Sequence, residues 1–539
     1  MPGTPWWKTA VIYQIAVSSF ADSDGDGRGD IRGVIEHLDH LRGTPGSLGV
    51  DAIWLTPVNR SPLRDFGYDV SDYRSIEPRF GTMDDFRELV DACHERGLRV
   101  IMDLVLNHTS DEHPWFAASR SSREDPRRGW YVWRDGRRPG RPPNRWRAVV
   151  EGSAWERDPR TGQYYYHAFL PFQPDLNWRN PAVQGEMLDV ARSWLEFGVD
   201  GFRLDLINHL YEDEHLRDNP LKPGVRPYLA QRHLYDHSQA ESLEIAARLR
   251  AVADAHGERV LLGEVFSDDW QDCLDYLGDG TDRLHLSFYL DFIRQRWSAR
   301  GFRDSVGWLE QRLPPAAWPC YYLDNHDLPR SISRFGGGRH AIARAKVAAA
   351  MLLTLRGTPI LYYGQELGMP ESRIPGTALD DPVGRKFWPL RVGRDGCRTP
   401  MQWSSGPGAG FTTGVPWLPV DPSASTRNVA AETGDPASLL SWYRDLIALR
   451  SETPALRTGE YRALPGMRRD VFGFERTLGH ERVVVLLNFS GSPRRCNLSG
   501  HRSWRVLVST HGSAEDPATL APYEARVLGA RLHEGAGTA

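Results

Sequence analysis

Eight short apolar runs, separated by stretches of helical periodicity, constrain the fold of this 539-residue chain more than any other feature. They lie at residues 11–15, 52–55, 100–102, 201–204, 260–262, 284–286, 321–323 and 360–363. Most are unbroken rather than alternating, as strands covered on both faces of a parallel sheet must be. The clearest helical stretch opens at Thr82, an N-cap whose capping-box partner is Asp85. Phe86, Leu89, Val90 and Cys93 then share one face, and Gly97 stops the helix. Strand and helix alternating eight times predict an α/β fold, a (β/α)8 TIM barrel.

Two regions break the alternation. Residues 105–178 are rich in Trp, Tyr, Arg and Pro and lack a long amphipathic helix. They are too long for a bare loop and predict a small domain inserted after strand three. From 456 to 539, short strands separated by turn residues predict a C-terminal antiparallel β-sandwich, with a disordered tail at 534–539. The barrel then comprises 1–104 and 179–455. A net charge of -4 gives no electrostatic case for nucleic acid or an anionic membrane. No run reaches the roughly 18 apolar residues of a membrane span, and the first residues lack the pattern of a secretory signal. Five scattered cysteines show no metal-ligand spacing and read as thiols of a reducing compartment. These features predict a cytoplasmic enzyme, monomeric or homodimeric, acting on small molecules.

All strand C-termini of a parallel barrel open on one face, where the active site lies. Four segments place polar residues there: Asp103 to Asn107-His108, Gly201-Phe-Arg203-Leu-Asp205, Gly263-Glu264-Val265 and Leu323-Asp-Asn-His326-Asp327. Arg203 and Asp205 are two residues apart, so they point to the same side of a strand. The guanidinium would hold the aspartate ionised, as a nucleophile requires. Glu264 leaves an apolar run, a setting that raises a carboxyl pKa and suits a general acid. Retaining glycoside cleavage needs such a pair. His108 and His326 could grip sugar hydroxyls, and Asp327 could stabilise an oxocarbenium ion.

These segments occur with Gly67-Tyr68-Asp69-Val-Ser-Asp-Tyr73, Gln173-Pro-Asp-Leu-Asn177 and Arg398-Thr-Pro-Met-Gln-Trp403. Together they resemble the α-amylase superfamily, glycoside hydrolase family 13, in the branch of oligo-1,6-glucosidases, maltases and transglucosidases. The resemblance implies that Asp205 is the nucleophile, Glu264 the acid/base and Asp327 the transition-state stabiliser. It implies that Arg203, His108 and His326 contact the sugar, Tyr68 stacks beneath it and Phe169 walls the pocket. By the same resemblance Asp65 and an arginine, Arg398 in preference to the alternative Arg394, clasp the non-reducing end, which favours exo-cleavage of short α-glucosides.

The loop Asp22-Ser-Asp24-Gly-Asp26-Gly-Arg28-Gly-Asp30 follows the first part of an EF-hand, with Arg28 offering its backbone carbonyl. Gly33 stands where the bidentate Glu would be, so Asp30 must close the site. Similar glucosidases hold Ca²⁺ or Mg²⁺ here, and a structural ion is expected. Leu206 follows the nucleophile where the branch carries Val or smaller, Thr-like residues, and Leu328 stands where many relatives carry Gln. Other stretches resemble α-1,4-acting enzymes. The expectation is therefore a retaining exo-α-glucosidase of α-1,4 preference. The alternative is a transglucosidase or sugar isomerase, of trehalose synthase or sucrose isomerase type, using the same glucosyl-enzyme. A non-catalytic, membrane-anchored relative would lack both the carboxylate set and a chain free of membrane helices.

Overall fold

The computed structural model describes residues 3–150, 152–390, 393–498, 504–512 and 516–531. The eight apolar runs form parallel strands: β1 (Ile12–Ile15), β2 (Ala52–Leu55), β3 (Arg99–Val105), β4 (Gly201–Asp205), β5 (Val260–Gly263), β6 (Leu286–Ser287), β7 (Cys320–Tyr322) and β8 (Thr358–Tyr362). The ladder order β6-β5-β4-β3-β2-β1-β8-β7 closes a barrel except at the β6–β7 seam, among the described residues. Strand β6 sits two residues later than its apolar run begins, and β7 one residue earlier. Pairing sets the bounds, with Leu286 opposite Leu262 and Cys320 opposite Thr358.

Alternation along the strands sorts the side chains. Ile12, Trp54, Ile101, Val260, Leu262, Tyr322 and Ile360 cluster in the barrel interior, while Tyr13, Ile15, Ile53, Val100 and Met102 join the larger core under the helices. Helix Met83–Glu95 begins with the expected reciprocal cap: Asp85 N–H donates to Thr82 Oγ1 at 3.1 Å, and Thr82 N–H to Asp85 Oδ2 at 2.8 Å.

Between β3 and β4 the chain forms helix Pro114–Ser121 and a three-stranded antiparallel sheet with Tyr164–Tyr166 at its centre, flanked by Trp133–Arg134 and Trp155–Arg157. Its own core contains Val132, Trp146, Trp155, Tyr164 and Tyr166, and Leu216 and Tyr235 of the loop after β4 pack on it. Near the C-terminus lie β9 (Glu460–Ala463), β10 (Val471–Leu478), β11 (Glu481–Asn488), β12 (Arg505–Ser509) and β13 (Ala525–Arg531). They form an antiparallel sheet ordered β9-β10-β11-β13-β12. Phe472, Phe474, Val483 and Val485 face the main core. Val471, Val484, Leu486 and Leu528 face the other way, onto Leu520 and Cys496 beside a two-stranded ribbon. The tail at 534–539 lies outside the described residues. All five cysteines are free and buried. No helix among the described residues is long and apolar enough to cross a membrane.

Candidate active site

Strand register brings the charged residues together. Asp103 on β3 stands opposite Arg203 on β4, and Val105 opposite Asp205. Gly263 on β5 stands opposite Leu204. The pairing continues one residue further, with Glu264 N–H donating to Leu204 O at 2.9 Å and Ile207 N–H to Glu264 O at 3.1 Å. Asp103, Arg203, Asp205 and Glu264 therefore meet at one level of the barrel mouth.

Arg203 is buried at their centre. Its Nη1 donates to Asp103 at 2.9 and 3.0 Å and to Asp205 Oδ1 at 2.9 Å, while Nη2 donates to Glu264 Oε2. The rings of Trp54, Tyr68 and Phe288 lie 5.3, 5.7 and 5.9 Å from the guanidinium. The guanidinium was expected to serve Asp205; it serves three carboxyls. Burial pushes Asp103, Asp205 and Glu264 upward, while Arg203 pulls each back. Three buried carboxyls facing one cation favour retention of a proton within the group. Asp103 is the natural anion, because Tyr68 Oη at 2.9 Å and Trp54 Nε1 at 3.4 Å also donate to it. Asp205 Oδ2 is buried with no hydrogen-bond partner.

Asp327 follows β7. Its Oδ1 accepts from Arg398 Nη2 at 3.1 Å and Arg394 Nη1 at 3.3 Å, and its Oδ2 lies 3.2 Å from His326 Nε2. Burial opposes its charge, but His326, Arg394 and Arg398 together hold the carboxyl well below the usual range. Burial also pulls His326 down to about 3 against the attraction of Asp327, so its imidazole is neutral. Gln14 Nε2 donates to His326 Nδ1 at 2.8 Å, which places the ring proton on Nε2, facing Tyr68 Oη at 2.7 Å.

His108 is likewise pulled down to about 4 by burial. Its Nε2 lies 3.2 Å from Gln173 Nε2, which donates to Asp65 Oδ2 at 2.9 Å. Asp65 Oδ1 then binds Arg394 Nη2. Arg394, not the expected Arg398, is thus the partner of Asp65. The reason is local: Asp381 accepts from the backbone N–H, Nε and Nη2 of Arg394 at 2.8, 3.2 and 2.8 Å and aims its side chain. Arg398, beyond the intervening turn Asp395–Cys397, instead lies 4.1 Å over the Phe66 ring and donates Nε to His326 O at 2.8 Å. Phe169 stands between His108 and His209, at ring distances of 5.7 and 5.4 Å.

Asp103, Gln173 and Asp381 were not assigned from sequence, and Arg394 only as the alternative to Arg398. Asp103 opens the first recognised segment and Gln173 begins Gln-Pro-Asp-Leu-Asn, so both signals were present. Asp175 of that motif accepts from Asn107 Nδ2 and Ala168 N–H, each at 3.0 Å, and fastens the inserted segment over the mouth. Leu206 turns the chain directly after Asp205 with φ +46° and ψ +44°, a costly left-handed conformation for a branched residue.

In the first loop, carboxylate oxygens of Asp22, Asp24 and Asp30 lie within 4.8 Å of one another. Asp26 is turned to the Arg28 N–H at 2.7 Å and is not in that group. The Arg28 side chain runs away to Asp380, 3.8 Å distant, and the Trp417 ring. Gly27 has φ +95°, and a Cβ there would meet Val415 O at 1.9 Å, so only glycine fits.

The catalytic-domain pattern of α-amylase matches residues 14–459. This chain belongs to the α-amylase family. A probable alpha-glucosidase of Rhizobium meliloti is 46% identical over 91% of this chain and 90% of its own length. An oligo-1,6-glucosidase of Parageobacillus thermoglucosidasius is 37% identical over 98% and 99%. Among solved structures, an alpha-glucosyl transfer enzyme, XgtA, is 42% identical with a TM-score of 0.93, covering 98% of this chain and 100% of its own. The trehalulose synthase MutB of Pseudomonas mesoacidophila is 36% identical with a TM-score of 0.89 and the same coverages. MutB variants have been seen with sucrose and isomaltulose. The chain is therefore an enzyme of retaining glycoside chemistry that works through a glucosyl-enzyme.

Proposed function

We propose that this enzyme is an α-glucosyl transferase of the transglucosidase or sugar-isomerase kind, passing glucose from a small α-glucoside to a sugar acceptor. The observation that carries this reading is its likeness, over almost the whole chain, to glucosyl-transferring proteins. The chemistry follows from the geometry. Asp205 Oδ1 is pinned by Arg203, and its unpartnered Oδ2 attacks the anomeric carbon. Glu264, with its raised pKa, protonates the leaving oxygen. Esterification of Asp205 removes a negative charge beside Glu264, which lowers the latter's pKa and readies it to act as base. Asp327, held ionised by its two arginines, stabilises the oxocarbenium-like transition state, and neutral His108 and His326 hold ring hydroxyls. Asp65 paired with Arg394 closes the donor end beyond one glucose, so the enzyme acts on chain ends.

Water competes for the same intermediate. Hydrolysis of terminal α-linked glucose from short oligosaccharides, with α-1,4 preference, is the second reading, favoured by the glucosidases among the relatives. A time course of products from maltose, sucrose, isomaltose and trehalose separates the two. New disaccharides or longer glucosides exceeding free glucose support transfer; stoichiometric free glucose from the outset supports hydrolysis.

The first loop offers Asp22, Asp24 and Asp30 as hard oxygen ligands, a donor set that fits Ca²⁺ or Mg²⁺. Such an ion would brace the loop and has no part in glucosyl transfer. Chelation should lower the melting temperature more than the turnover of the enzyme that remains folded.

A further inference from the structure

The loop between β4 and helix Glu241–Asp254 holds a cluster that glucosyl transfer does not use. His233, Asp236 and His237 each bring one ligand atom within 4.8 Å of the other two. Asp236 and His237 are buried, and the His233 side chain is only 8% exposed.

The hydrogen bonds fix which nitrogen each ring offers. Ser238 Oγ accepts from Asn208 Nδ2 at 3.0 Å and gives its only proton to Asp272 Oδ2 at 2.9 Å. It must therefore accept from His237 Nδ1 at 2.9 Å, which leaves Nε2 of that ring with the lone pair. His233 Nε2 faces Tyr228 O at 2.9 Å, and a carbonyl can only accept, so Nδ1 is the nitrogen left to bind. That Nδ1 points at Asp236 Oδ2, 2.7 Å away. Each imidazole thus has its outer N–H tied to an oxygen, the arrangement that orients metal-ligating histidines.

A second observation points the same way. His209 Nε2 is buried without a hydrogen-bond partner, and its ring lies 4.7 Å from that of His237. We propose that His233 Nδ1, Asp236 and His237 Nε2 form a binding site for a borderline divalent cation of the zinc class. Two imidazoles and one carboxylate suit Zn²⁺ better than Ca²⁺ or Mg²⁺, and a fourth position stays open. Without the ion, a proton must occupy the His233–Asp236 bond; the cation takes its place. Through His209, which packs on Phe169 and Phe266, the ion would brace the loop beside the active-site mouth.

The test is calorimetric titration of chelator-stripped enzyme with zinc chloride, in excess Ca²⁺ to fill any all-oxygen site. It is paired with the visible spectrum of the cobalt-substituted protein. One Zn²⁺ should bind per chain, at least about 100-fold more weakly in His237→Ala and Asp236→Asn. Cobalt should give an intense tetrahedral-type band without a sulfur charge-transfer band. Absence of binding to the wild type overturns the proposal, as does unchanged binding in both variants. Should the variants fail to fold, an octahedral-type or sulfur-ligated cobalt spectrum of the wild type overturns it equally.

Discussion

At the scale of single residues, the site is organised by two arginines of different duty. Arg203 ties Asp103, Asp205 and Glu264 into one buried group, so none of them titrates alone. The account assigns the shared proton to Glu264. Glu264→Gln should cut kcat about 10²–10⁴-fold for sugar leaving groups, and far less for a glucosyl donor whose leaving group needs no proton. An equal loss for both donors would remove Glu264 from the acid role. Arg394 is the cation that Asp65 faces across the donor end. Arg394→Ala should raise KM for disaccharides at least about tenfold and lower the melting temperature, because it strands a buried carboxylate. Arg398→Ala should act chiefly on kcat, since that side chain shares with Arg394 the hold on Asp327 but does not reach Asp65. Steady-state kinetics on both variants separate the two effects. This assignment was beyond the sequence: Arg394 and Arg398 lie one turn apart in the same segment, and only the hydrogen bonds of Asp381 decide which reaches Asp65.

At the scale of elements, legibility follows how local the cause is. The helix after Thr82 was readable because its cap, apolar face and stop all lie within sixteen residues. Its capping box formed as expected. Thr82→Ala should cost about 1 kcal/mol of stability and leave kinetic constants unchanged, checked by thermal melting beside an activity assay. Arg203 and Asp205 were readable as a pair because strand periodicity alone puts them on one side. Asp103 opposite Arg203 was not, since register between β3 and β4 depends on residues about one hundred positions apart. The first loop was only partly legible: spacing proposed five ligands, and backbone turns withdraw Asp26 from the group.

At the scale of the whole molecule, the barrel could be counted from its apolar runs because each strand is buried on both faces. Trp7, in the opening helix Trp6–Thr9, packs 4.4 Å from the ring of His285. His285 accepts from Leu261 N–H at 3.0 Å, and burial, aided by Arg250 and Lys8, pulls its pKa to about 3. The sign follows directly. The unfolded chain binds a proton at this histidine below about 6.5, whereas the folded chain does not until about 3. Its contribution to stability is complete above pH 6.5 and is lost as pH falls toward 3. The melting-temperature gap between wild type and His285→Gln should therefore narrow steadily from pH 7 to pH 4; a constant gap would contradict a buried neutral ring.

The central claim is that Asp205 carries the glucosyl group. The direct measurement is peptide mass spectrometry of enzyme quenched with a slow, fluorinated α-glucosyl donor. The account predicts a single hexosyl adduct on the peptide containing Asp205. An adduct on the peptide of Asp327 or Asp103, or turnover of the donor with no adduct at all, would contradict it.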